Sequence, residues 1–240
     1  MPQDKSASFW PMVLAGARDI VPLVIGAIPF GIIFGTLAQT SGLSNGGAIA
    51  MSAFVFAGSA QFIALGLLSS HTAVVLILLT TFVVNLRHLL YAASMVPYVK
   101  SLSPWGKIPF AFLLTDEVFA IAIGQYLRSD RQEKSHAYYF GAALLMYFTW
   151  QLCTWVGLTV GQLFPNIASW GLDFAMIATF IGMIVPYLVT RPMVVAVVGA
   201  GAIALMGREL PHNLGLLFAT LGGIILGYCC EVFWPKPTVS

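Results

Sequence analysis

Two short clusters carry the residues that could do chemistry. Asn85, Arg87 and His88 stand close together in a run that is otherwise apolar from Ala73 to Val96, and Asp116 and Glu117 stand about nine residues into another that begins at Ile108. A guanidinium, an imidazole and two carboxylates in such surroundings suit binding of a zwitterion, transfer of a proton, or a purely structural ion pair. Asn85 and His88 are three apart and share one helical face, which a continuation to Tyr91 would extend, while Arg87 points elsewhere. Asp116 and Glu117 diverge by about 100° on a helix, so one can face a pathway and the other a structural partner. A charge at mid-bilayer costs about 2.5–3.5 kcal/mol on insertion scales unless it faces the bundle interior, an acid or water. The plainer alternatives are a helix that ends near Asn85 with Arg87 in the headgroups, and an Arg87–acid pair that only ties two helices together.

A second set offers backbone rather than charge. Gly58, Ser59 and Gln61 lie in Phe56-Ala57-Gly58-Ser59-Ala60-Gln61-Phe62. Small residues permit close helix approach and Gln bonds across helices; the sharper reading is a broken helix whose freed backbone groups hold a substrate's carboxylate or ammonium. Pro29, flanked by Gly26 and Gly31, removes a helix donor and is expected to kink or interrupt its helix. Pro186 does the same near Arg191-Pro192.

The elements that must position these residues are apolar helices. The chain is 59% hydrophobic and 8% charged, against about 25% charged in soluble domains, so a bilayer is its solvent. The expected fold is all-α: a polytopic transmembrane bundle of seven or eight spans, some broken, with two-repeat organisation in view. Candidate spans are 20–38, 47–68, 73–98, 108–127, 137–163, 174–189, 193–206 (short for a crossing) and 214–234, each judged against about 20 residues per crossing. The whole of 1–240 reads as one integral membrane domain, with 1–19 a cytoplasmic or interfacial segment rather than a signal peptide. A faint echo supports a repeat: Gly31-x3-Gly35 and then Ala50–Phe54, against Gly157-x3-Gly161 and then Ala175–Ala178.

With eight spans and a cytoplasmic N-terminus, Lys5, Arg18, Arg128, Arg131, Lys134, Arg191 and Lys236 lie inside and Lys100, Lys107 and Arg208 outside, which the positive-inside rule favours. Trp10, Trp105, Trp170 and Trp234 read as interfacial anchors, Asp173 as a helix-start carboxylate and Glu231 as a headgroup-level acid. The net charge of +2 argues against nucleic acid as a partner. Cys153, Cys229 and Cys230 have no metal-site spacing, and no GxSxG, HExxH or Walker-type segment is present, so no metal, cofactor or ATPase activity is expected. An enzyme would have to work within the membrane, through His88 with Asp116 or Glu117.

Pro29-Phe30-Gly31-Ile32-Ile33-Phe34-Gly35, Phe56-Ala57-Gly58-Ser59-Ala60-Gln61-Phe62, Asn85-Leu86-Arg87-His88-Leu89-Leu90-Tyr91 and Leu114-Thr115-Asp116-Glu117-Val118-Phe119-Ala120 together resemble the AzlC family in order and spacing. The resemblance implies the large subunit of a two-component exporter of branched-chain amino acids in the bacterial inner membrane. It implies a small AzlD-type membrane partner and secondary transport driven by protons. On that reading the pathway residues are Pro29, Gly31, Gly58, Ser59, Gln61, Asn85, Arg87, His88, Asp116 and Glu117. Arg87 or the backbone near Gly58 would take the substrate carboxylate, Asp116 or Glu117 the ammonium or the proton, and Phe54, Phe56 and Phe62 would bound the apolar side chain. The alternatives are an uncoupled channel or uniporter, and a structural subunit whose partner holds the site.

Overall fold

The computed structural model describes residues 9–128, 132–160, 181, 185, 188–210 and 214–233. All regular structure among them is helical: α1 (Phe9–Thr40), α2 (Asn45–Phe54), α3 (Gly58–Ser69), α4 (Val74–Val99), α5 (Pro104–Phe112), α6 (Asp116–Arg128), α7 (Gln132–Val160), α8 (Arg191–Met206) and α9 (Leu214–Phe233). Among the described residues, three stretches are long and apolar enough to cross a membrane by length and composition: Phe9–Thr40, Val74–Val99 and Ser135–Val160. The segment 174–189, Asp173, Pro186, Trp170, Trp234, Gly161 and the second half of the expected repeat echo lie outside the described residues, isolated positions apart. The contacts divide the chain into two units: of the described residues, 9–71 and 77–160 form the first, and 72–76 with those from 181 onward the second.

In the first unit α1 and α7 lie side by side, and glycines let their backbones touch. A Cβ on Gly35 would stand 2.2 Å from the carbonyl oxygen of Thr154, and one on Gly157 2.1 Å from that of Ile32. Toward the other end, Gly16 meets Tyr138 and Gly141 meets Val13 in the same way. Contact positions rise together along both helices, so α1 and α7 run parallel. This packing keeps α1 a single helix through Pro22 and Pro29; of the two outcomes expected at Pro29, a kink or an interruption, the interruption does not occur. A helix-interior proline forfeits one hydrogen bond and strains one turn, and close contact along the helix holds the rest in line. The N-terminal stretch is helical from Phe9, with Trp10 exposed.

The expected crossings 47–68 and 108–127 are each a helix, a break and a second helix. Helix α2 has 10 residues and α3 has 12, which is about 15 and 18 Å, half of a hydrocarbon core about 30 Å thick. They turn back on each other. Ser69, at the end of α3, bonds Ser41, just beyond the end of α1, with Oγ atoms 3.0 Å apart. The hairpin therefore leaves at the end where it entered. Gly42, at φ +87°, makes the reversal from α1 into this hairpin cheap. Helices α5 and α6 (9 and 13 residues) do likewise from the opposite end: Tyr126, near the end of α6, packs on Tyr98, near the end of α4, with ring centroids 5.2 Å apart. Tyr126 also bonds His136 at the start of α7, at 2.5 Å.

Helix ends leave carbonyls without intrahelical partners, and such groups are costly at membrane depth unless protein covers them. Here side chains cover them. Gln61 donates to the carbonyls of Val55 (2.6 Å) and Met51 (3.3 Å), Gln151 to that of Ser52 (3.0 Å), Tyr147 to that of Ala53 (3.2 Å), and Tyr139 to that of Phe110 (2.6 Å). Four of these five bonds serve the end of α2, and α7 supplies two of the four.

In the second unit α8 and α9 pack antiparallel over small residues, with Gly223 against Ala200 and Gly227 against Ala196.

Candidate functional site

The two hairpins meet by their tips. Phe56, in the break between α2 and α3, lies 6.5 Å from Phe112 at the end of α5 and 5.0 Å from Tyr147 in mid-α7, centroid to centroid. Phe112 and Tyr147 are 5.9 Å apart. Just beyond each break a half-helix begins, α3 at Gly58 and α6 at Asp116. Aligned peptide dipoles give such a start a partial positive charge and free N–H groups.

Arg87, at the middle of α4, joins the two starts. Its Nη1 bonds Oδ2 of Asp116, the first residue of α6. Its Nη2 donates to the hydroxyl of Ser59, the second residue of α3, at 2.7 Å. His88 approaches the same carboxylate, Nε2 to Oδ1 at 3.7 Å. The sequence leaves the partner of Arg87 open between Asp116, Glu117 and neither; in the structure it is Asp116. Nor does Arg87 point away from His88: the long arginine side chain brings two adjacent residues of α4 onto one carboxylate. Below them Tyr91 lies 5.9 Å from the His88 ring and stacks on Phe119 of α6 at 4.7 Å.

The two starts differ electrostatically. That of α6 carries Asp116 and Glu117 in its first turn, where carboxylates suit the dipole, and the hydroxyl of Thr115 accepts from the Val118 N–H at 3.4 Å. That of α3 has no acid in its first turn, and its cap residue Ala57 makes no side-chain hydrogen bond. Several buried polar atoms here have no hydrogen-bond partner among the described residues: Gln61 Oε1, Asn85 Oδ1, Arg87 Nε, Asp116 Oδ1 and Trp150 Nε1. Glu117 engages no cation in an ion pair among the described residues. Among those residues no group of three His, Cys, Asp or Glu side chains is placed to hold a metal ion.

Of the residues picked out by sequence, Ser59, Arg87, His88 and Asp116 come into direct contact. Gly58 opens α3 under the Trp150 indole, where a Cβ would meet the ring at 3.1 Å. Gln61 is fully buried and holds the break closed. Asn85 stands half-buried two residues before Arg87. Pro29 and Gly31 do not join the cluster. Pro29 is exposed on α1, and Gly31 packs on Cys153 of α7, so both belong to the helix scaffold. Phe54 is 80% exposed, and Phe62 packs edge-on against Phe30 and Phe34, which leaves Phe56 as the ring of the three at the tips. Sequence reasoning missed Phe112 and Tyr147. It also missed the break at Leu113–Thr115, whose signal was legible: Thr-Asp-Glu is a helix start, and it sits in the middle of an apolar run.

No solved structure matches the chain. It is 29% identical over 241 residues to the inner membrane protein YgaZ of Escherichia coli K12, covering 97% of this chain and 94% of that protein. It is 33% identical over 209 residues to a membrane protein of Archaeoglobus fulgidus, covering 85% and 89%. It is 28% identical over 182 residues to the branched-chain amino acid transport protein AzlC of Bacillus subtilis 168, covering 74% and 68%. Residues 22–164 match the AzlC protein family, a stretch that contains both hairpins and Arg87. The chain is a membrane protein and belongs to the AzlC family.

Proposed function

We propose that this chain is the substrate-carrying subunit of a secondary transporter that exports branched-chain or similar neutral amino acids across the bacterial inner membrane. It would work with a small AzlD-type subunit, driven by the proton gradient. The observation that carries the reading is the contrast between the two half-helix starts that Arg87 bridges. A zwitterion needs a cationic, N–H-rich end and an anionic end. The start of α3, with no acid and no side-chain cap, and the guanidinium on Ser59 suit the carboxylate. The start of α6, with Asp116 and Glu117, suits the ammonium. The unpartnered atoms of Gln61, Asn85 and Arg87 supply further bonds to such a polar ligand. Asp116 is held by Arg87, so Glu117, in no ion pair among the described residues, is the acid assigned to the coupled proton. The substrate class follows the name of the Bacillus relative.

The distribution of cations supports a cytoplasmic N-terminus. The turns 41–44 and 70–73, at the end where α1 finishes and α4 begins, contain no Lys or Arg. Arg18, Lys100, Lys107 and Arg128 lie toward the other end, with the start of α1. The return of both hairpins moves Lys100 and Lys107 to the side of the N-terminus, which strengthens the bias.

The test is efflux of labelled valine, leucine and isoleucine from dipeptide-fed cells lacking other exporters. The cells express this chain with or without the small partner. Efflux that requires both proteins is expected, and Glu117→Gln should keep exchange but lose its dependence on the proton gradient. Membrane-inserted protein that moves none of the three overturns the substrate assignment.

A further inference from the structure

The hairpins share one pattern of backbone and cap bonds at their starts and at their breaks. The Ser44 hydroxyl accepts from the N–H of Gly47 and the Ser103 hydroxyl from that of Gly106, a shift of 59 residues. At the breaks the shift is 58. The Val55 N–H donates to Met51 and the Leu113 N–H to Pro109. Ala57 donates to Val55, and Thr115 to Leu113. Gln61 donates to Ala57, and Phe119 to Thr115. Each hairpin follows a long apolar helix, α1 or α4, and each returns to the end at which it entered. The two long helices run in opposite directions, so the hairpins dip from opposite ends and meet at Phe56, Phe112 and Tyr147.

We infer that residues 9–69 and 74–128 are inverted copies of one unit, a long helix followed by a half-depth hairpin, and that the hairpins are the two gates of the pathway, one facing each side of the membrane. The gating part rests on the transport reading above. Inverted copies can exchange conformations: what one hairpin does toward one side the other can do toward the other side, which is the geometry alternating access requires. In the conformation seen here Arg87 grips Ser59 on one hairpin and Asp116 on the other, and Phe56 and Phe112 pack tip to tip, so both gates are shut on each other. The match also bears on Arg87. At a shift of 58 Arg87 corresponds to Pro29 of α1, so a single arginine serves both tips, and the breaking of one of its two bonds selects which hairpin swings away.

The experiment uses the full chain with Cys153, Cys229 and Cys230 replaced by alanine. In Phe56→Cys/Phe112→Cys, a short bifunctional thiol reagent should link the tips and lower amino acid exchange at least ten-fold relative to the untreated double variant, and a cleavable linker should restore exchange on reduction. Exchange that persists with the link demonstrably formed would overturn the gate assignment. In Ser59→Cys, without a link, a membrane-impermeant thiol reagent should label the site from either face of sealed vesicles, and linking the tips in the triple variant should abolish labelling from both. Labelling from one face alone would overturn it. The labelling arm needs no substrate, so it decides the hairpins even if the parent moves no branched-chain amino acid, an outcome that would sink only the substrate reading.

Discussion

The bond between Arg87 and Asp116 can be weighed by a double-mutant cycle. Arg87→Ala leaves Asp116 with only the more distant His88, and Asp116→Ala leaves the guanidinium with the Ser59 hydroxyl alone. Breaking a fully buried ion pair by removing one partner costs about 3–5 kcal/mol, mostly because the survivor is uncompensated. These side chains are 29% and 14% exposed, so water reaches them in part and about 2–3 kcal/mol is the fitting figure for each single variant. For a chain of this size that lowers the midpoint of thermal unfolding by about 5–10 °C, at about 2–4 °C per kcal/mol. Arg87→Ala/Asp116→Ala leaves no orphaned charge, and should cost no more than either single change. The coupling energy would then be about 2 kcal/mol or more. The assay is unfolding in a mild detergent, followed by loss of monodisperse protein on heating. Additive effects, with the double variant falling by the sum of the singles, would refute the reasoning and reduce the pair to a contact of surface strength.

Two further outcomes follow from the packing. Gly35→Ala places a methyl 2.2 Å from the backbone oxygen of Thr154, so α1 and α7 must separate; folded yield in the membrane should fall several-fold, whereas Gly26→Ala, with nothing within 4 Å of the added carbon, should match the parent. Gln61→Leu keeps the volume but removes the side-chain donor to the carbonyls of Val55 and Met51, which retain only the backbone N–H groups of Ala57 and Val55; a loss of about 0.5–1.5 kcal/mol, the usual net worth of a hydrogen bond, should appear as a lower unfolding midpoint in the same assay.

Much of this architecture is legible before any coordinates. Apolar runs mark the helices because the bilayer permits little else, and Arg87 with Asp116 stands out because charge is expensive there. The break at Gly58 is legible for the same reason that Ser59 and Gln61 are: small and amide-bearing residues mark backbone that must be satisfied locally. Direction is harder to read. Nothing in 47–68 or 108–127 says whether the chain continues or returns, because a half-depth hairpin and a full crossing share length and hydropathy. The difference rests on contacts such as Ser41–Ser69 and Tyr98–Tyr126, which join residues 28 apart in sequence. Pro29, which reads as a kink or an interruption, does not break its helix. Its local rule is sound, but the glycine contacts of α1 with α7 outweigh one lost hydrogen bond.

The asymmetry between the two half-helices is the strongest reason to place function here rather than mere cohesion. A structural pair would be served best by an acid at one helix start and the arginine closed on it, with every remaining atom bonded. Instead Arg87 divides its grip between an acid on α6 and a neutral hydroxyl on α3, and its Nε, one oxygen of Asp116, and the amide oxygens of Asn85 and Gln61 lack hydrogen-bond partners among the described residues. Each such atom costs about 1–3 kcal/mol when buried. A fold that spends side chains from α7 to cover the carbonyls at the end of α2 has the means to cover these as well. On the transport reading proposed above, a polar ligand at the meeting point of the two half-helix starts would bond these atoms, and the Arg87–Asp116 cycle, repeated with an amino acid present, would show whether it does.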